Sequence, residues 1–168
     1  MGETFVTALT WEWAPSVVAG LLVITLGYMA LTGPLRQRKK WGPPVPWERQ
    51  AAFHLGNLVV LIALCSPLDT LGDSALFSAH MGQHMLLTFV APPLWLAGLP
   101  VWLIERSFPP GWPRRLLNWA ISPVPAFLIF SGVMWAWHIP AVYDGALRNE
   151  HLHIAEHLSF MGAALIGW

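Results

Sequence analysis

Charge is what this sequence has least of. Only 11% of its 168 residues are charged, while 55% are hydrophobic and the mean hydropathy is +0.52. Soluble domains carry about 25% charged residues, so this composition excludes a water-covered globular surface. Cysteine is almost absent: Cys65 stands alone, which excludes an internal disulfide and any multi-cysteine metal motif. The amino terminus, Met1-Gly-Glu-Thr4, has no basic stretch ahead of the first apolar run. That run is therefore expected to be a retained span, not a cleavable signal. No H-E-x-x-H, phosphate-binding loop or nucleophile–base pattern occurs, and an enzyme is not expected. The basic residues fall in short runs beside apolar segments, without the aromatic–basic interleaving of a nucleic-acid module, so nucleic acid is not an expected partner.

Long apolar runs are what the sequence does have. A membrane helix needs about 20 mostly apolar residues, and five stretches approach that length: 13–35, 50–68, 74–97, 119–138 and 150–168. The fold expected is all-α, a polytopic transmembrane helix bundle of about five spans in a single domain, with membrane lipid around it. The third stretch stays apolar to Ile104, long enough to cross and then turn along the surface, and Pro92 and Pro93 predict a kink or break in it. Pro123 and Pro125 stand near the start of the fourth. The longest polar connection, Arg36 to Arg49, contains Pro43, Pro44 and Pro46 and reads as a stiff loop. The last stretch is still apolar at Trp168, so the bundle is expected to belong to a longer one.

Charge also predicts the orientation, because cytoplasmic loops carry the excess of Lys and Arg. Arg36, Arg38, Lys39, Lys40 and Arg49 lie between the first two spans, and Arg106, Arg114 and Arg115 between the third and fourth. Only Arg148 falls on the other side, where Glu3, Glu12, Asp69, Asp73, Asp144 and Glu150 gather. Tryptophans mark both boundaries: Trp11, Trp13, Trp135 and Trp137 outside, and Trp41, Trp47, Trp102, Trp112 and Trp119 inside. The amino terminus is thus expected to face outward.

Against this background six of the seven histidines fall in one layer near the outer face. His80 and His84 form one H-x-x-x-H pair, His153 and His157 a second, His138 closes the fourth span, and His151 precedes the second pair. Residues four apart share a helix face, so two pairs on different helices can present their rings to one cavity. Ionisable groups inside a membrane mark functional sites by default, and imidazole suits copper, zinc, iron and nickel. The candidate metal ligands are His80, His84, His138, His153 and His157. Cys65 joins them as a soft donor at the outer end of the second span, with Met81, Met85 and Met134 near the histidines. Sulfur beside imidazole tilts the choice toward copper over zinc. Gln83 and Glu156 are candidates to fix ring tautomers from behind. His54 reads as a buried, hydrogen-bonded helix histidine and His151 as interfacial polarity. Two other readings stand beside the copper one. In the first, His84 and His157 are axial ligands of a haem in an electron carrier. In the second, a metal-free scaffold satisfies its histidines through interhelical hydrogen bonds.

The residues also carry a resemblance. Leu76-Phe-Ser-Ala-His80-Met-Gly-Gln-His84, followed by Val90-Ala-Pro-Pro-Leu94, resembles the signature of the CtaG family of membrane proteins, which are tied to assembly of caa-type cytochrome c oxidase. Trp137-His138-Ile-Pro-Ala-Val-Tyr143-Asp144 and Glu156-His157-Leu-Ser-Phe160 match two further signatures, and the resemblance covers residues 48 to 168. It implies an assembly factor in the bacterial inner membrane, with cytochrome c oxidase subunits as partners. It also implies further helices beyond Trp168. Combined with the histidine layer, it points to an outward-facing site that receives and passes on copper, toward which the acidic outer surface would draw cations.

Overall fold

The structure, a computed structural model, describes residues 10–74 and 76–168. The expectations placed on Met1–Thr4, and on the side chains of Glu3 and Asp73, fall outside the described residues. Every regular element among them is helical: α1 (Pro15–Thr32), α2 (Pro34–Lys39), α3 (Trp47–Cys65), α4 (Pro67–Ser74), α5 (Phe77–Met85), a π segment (Leu86–Val90), α6 (Ala91–Gly98), α7 (Val101–Ser107), α8 (Trp112–Ala120), α9 (Pro123–Trp137), α10 (Pro140–Arg148) and α11 (Glu150–Gly167).

Proline punctuates this series. Pro15, Pro34, Pro67, Pro123 and Pro140 are each the first residue of a helix, where the missing N–H costs nothing and the fixed φ favours the helical turn. The segments 67–74 and 140–148 are accordingly short helices. Breaks also shape the spans. Pro15–Lys39, 25 residues, is long and apolar enough to cross a membrane, and two bent pairs bring the total to at most three. These pairs are Phe77–Gly98 with Val101–Ser107, bent by 96°, and Trp112–Ala120 with Pro123–Trp137, bent by 72°. The first bend lies in the stretch where a kink or break was expected, but after Gly98 and beyond Pro92 and Pro93. The count of about five is not reached by length and apolarity because α3 and α11 carry too many polar residues. Glu48, Arg49, Gln50, His54 and Asn57 lie in α3, and Glu150, His151, His153, Glu156 and His157 in α11.

The helix running from α5 through the π segment to α6 is the centre of the packing. It has α3 on one side and α11 on another, with α1 beyond α3 and α9 beyond α11. Val60 and Ala63 of α3, Leu87 and Ala91 of the central helix, and Met161 of α11 form the apolar core. The π segment follows from Pro92 and Pro93. The Thr88 carbonyl would bond the N–H of residue 92 in an α-turn or residue 93 in a π-turn, and neither proline has one. The chain widens there, with Ala91 N–H bonding Leu86 O, and the Thr88 carbonyl instead accepts from Trp168 Nε1 at 3.0 Å.

The approach of α3 to α6 depends on two glycines. A Cβ on Gly56 would lie 2.6 Å from the Trp95 ring, and one on Gly98 would lie 2.6 Å from Phe53 Cβ and 2.8 Å from Arg49 O. Polar links fix the same contact. Trp95 Nε1 donates to Asn57 Oδ1 (2.8 Å), Asn57 Nδ2 donates to Thr25 Oγ1 of α1 (2.9 Å), and the Tyr28 hydroxyl donates to Gly98 O (3.0 Å).

Because the obstruction at Gly98 includes backbone, Gly98→Ala should destabilise the bundle by about 1–3 kcal/mol, the usual cost of overpacking. Gly20→Ala, which meets nothing within 4 Å, should leave stability unchanged or slightly raised. Thermal unfolding in detergent, followed by circular dichroism, checks both; equal melting points would show that the α3–α6 contact does not depend on Gly98.

Candidate metal centre

Two helix starts create the site. Asn149 caps α11, its side-chain oxygen accepting from the N–H groups of His151 (2.9 Å) and Leu152 (3.3 Å). Along α11 the spacings of three and four residues put His153, Glu156 and His157 on one face. On the central helix, α4 folds back so closely that a Cβ on Gly72 would come within 3.1 Å of the His80 backbone. His80 and His84 therefore stand with α4 behind them and α11 in front.

The four rings of the two pairs meet. His80 and His84 have centroids 4.3 Å apart, His153 and His157 4.3 Å, His80 and His153 5.8 Å, and His84 and His157 5.2 Å. One ligand atom from each of His80, His84, His153 and Glu156 lies within 4.8 Å of the others. A four-coordinate ion with bonds of about 2.0–2.1 Å needs donor atoms roughly 3.4 Å apart, so small side-chain rotations close the set. His80, His84, Glu156 and His157 are buried and His153 is half-buried. Both ring nitrogens of His84 and Nε2 of His157 are buried without a hydrogen-bond partner among the described residues, an expensive state in a low-dielectric interior. Phe160 packs against the His84 ring (4.8 Å), and Tyr143 of α10 stands edge-on to His80 (6.2 Å).

The other candidates are placed differently. His138 caps α9 in an exposed position, its Nδ1 2.7 Å from Met134 O and its ring 6.4 Å from Phe160; it does not join the group. Cys65 is fully buried at the end of α3, where its carbonyl accepts from Glu12 N–H, and it too stays outside the group. His54 is half-buried against Tyr28 and Phe53, and His151 is exposed. Gln83 Nε2 donates to Ala63 O (3.0 Å) and to the Asp69 carboxylate, linking α5 to α3 and α4. Glu156, expected as an outer partner, supplies one of the clustered donor atoms; its spacing of three from His153 was the available sign. An apolar cleft lined by Phe89, Phe127, Phe130 and Trp168 includes none of these histidines.

The motifs named from sequence now have places. Trp137 Nε1 donates to Ser159 Oγ (2.7 Å), tying α9 to α11, and Ser159 Oγ donates to Glu156 O (2.8 Å), so both later signatures brace the helix that carries half the cluster.

Uncharacterized proteins of Mycobacterium leprae (29% identical), Mycobacterium bovis (28%) and Mycobacterium tuberculosis (28%) each align with 90% of this chain and 25% of their own length. The chain thus spans about a quarter of the curated relatives it matches. No solved structure matches it. The family model for the cytochrome c oxidase caa3 assembly factor matches residues 26–168, and the chain belongs to that family.

Proposed function

We propose that this chain acts in the membrane as an assembly factor for cytochrome c oxidase, binding copper at the His80–His84–His153–Glu156 cluster and passing it to oxidase subunits. The observation that carries this reading is the convergence of four donor atoms from two helices in a buried position. Copper is the cargo of this reading, and the role is delivery, not catalysis. A metal-free scaffold would use its buried imidazoles as hydrogen-bonding glue, whereas both nitrogens of His84 lack such a partner among the described residues. A bis-histidine haem would need His84 and His157 parted to admit a macrocycle, and their rings are in edge contact at 5.2 Å.

In this reading α1, α3, the central helix, α9 and α11 are five spans of a multi-pass protein in the bacterial inner membrane. The polar residues of α3 and α11 face protein, where intramembrane polarity is tolerated. The end of the bundle bearing Cys65, His80, Asp144 and His153 faces outward, and the Lys/Arg-rich connections face the cytoplasm. The amphipathic helix α8, with Arg114 and Arg115 beside exposed Trp112 and Trp119, lies along the inner lipid interface.

Purified in detergent and loaded with copper, the wild-type chain should retain the metal through desalting. His84→Ala and His153→Ala should each bind more than about tenfold less tightly, since even an outer partner of a ligand is worth 10–100-fold. His54→Ala should behave as wild type. Cells relying on the two cluster variants should lose cytochrome c oxidase activity; equal copper content in all four proteins would end the proposal.

The orientation is checked separately. In a Cys65→Ser background, a membrane-impermeant maleimide applied to spheroplasts should label Asp144→Cys and spare Arg38→Cys. The opposite pattern would invert the topology.

A further inference from the structure

The donor set at the cluster is three imidazole nitrogens and one carboxylate oxygen, and sulfur lies elsewhere. Cys65 is outside the group, and Met85 is 57% exposed. Met161 packs with Val60, Ala63, Leu87 and Ala91. Met134 sits on α9 beside the excluded His138. Met81 follows His80 directly, about 100° around the helix from it. Imidazole and carboxylate suit borderline divalent ions, whereas thiolate and thioether donors select Cu+.

Charge points the same way. An ion held in a low-dielectric interior needs compensating charge close by. Glu156, 2% exposed, supplies one negative charge directly. Behind it, the Asp69 carboxylate accepts from Gln83, which is fully buried on the same helix as His80 and His84. Its own helix, α4, presses Gly72 against the His80 backbone. A hard carboxylate oxygen beside the imidazoles favours a divalent ion over soft Cu+.

We infer that the cluster takes its ion in the divalent state, as Cu2+ or Zn2+ bound by His80, His84, His153 and Glu156, and discriminates against Cu+. This rests on the metal-handling reading above and narrows it, since copper at this site is cupric.

The test is a competition titration of the metal-free full chain in detergent with Zn2+, Cu2+ and Ag+, the last a redox-stable stand-in for Cu+. Zn2+ and Cu2+ should displace one another, a large excess of Ag+ should displace neither, and the Cu2+ electron paramagnetic resonance spectrum should carry splitting from several nitrogens. Glu156→Gln and Asp69→Asn should each weaken Cu2+ binding by about 10- to 100-fold, with circular dichroism reporting whether the variants fold. If they do not fold, the competition on the unaltered chain decides. Ag+ binding as tightly as Zn2+ would overturn the divalent assignment and leave metal handling standing. Folded variants with undiminished Cu2+ affinity would overturn it too. A chain that binds none of the three ions would overturn the metal-handling reading itself.

Discussion

Away from water a buried polar group has to find its partner within the protein. Most of the arrangement described here follows from that constraint. The Thr88 carbonyl, stripped of both backbone donors by Pro92 and Pro93, accepts from the Trp168 indole. The side chain of Asn57 is used twice, once toward α1 and once toward α6. Tyr28 reaches across to the Gly98 carbonyl, and Thr32 and Thr88 return their hydroxyls to carbonyls four residues back on their own helices. Each of these groups is satisfied, and each bond locks one helix against another or against itself. The nitrogens of His84 depart from this economy, which is why the cluster reads as a place prepared for something brought from outside.

The bundle separates two tasks along its length. Toward one end, Gly56, Gly98, Phe53 and Trp95 bring α3 and α6 into close contact, with Tyr28 stacked on Phe53 at 3.9 Å. Toward the other, α4 and α10 cross the helix ends and enclose the histidines, Gly72 behind His80 and Tyr143 at its edge. The tight contact is made by glycines and aromatic rings, with Arg49 donating to Leu99 O at its edge, and the enclosed end holds the imidazoles and Glu156, so close packing and candidate ligands are assigned to different turns of the same helices.

How much of this was legible in the sequence depended on the kind of signal. Helical character and the meeting of the two H-x-x-x-H pairs could be read because both follow from a fixed period, four residues per pair on one face. A break in the third stretch was legible from its prolines, but it was expected at Pro92 and Pro93, whereas the 96° bend falls between Gly98 and Val101. The short helices α4 and α10 were not, since polar, proline-led segments of eight or nine residues look like loops when only apolar runs are sought. Glu156 was taken for a helper because carboxylates commonly stand behind histidines; its inclusion in the group depends on how α11 packs against the central helix, a tertiary detail. For Cys65 and His138, position at a helix end was readable but side-chain direction was not, and neither joins the group.

The five residues of the π segment hold one more residue per turn than the α-helix around them. An added residue rotates everything beyond it by roughly 100° relative to what precedes it. The azimuth of Trp95 is therefore not slaved to that of His84, although both ride on one unbroken rod. The bulge works as a fixed dial between two faces: one end of the rod can be aimed at α11 and the other at α3, without the compromise that a uniform helical pitch would impose on both.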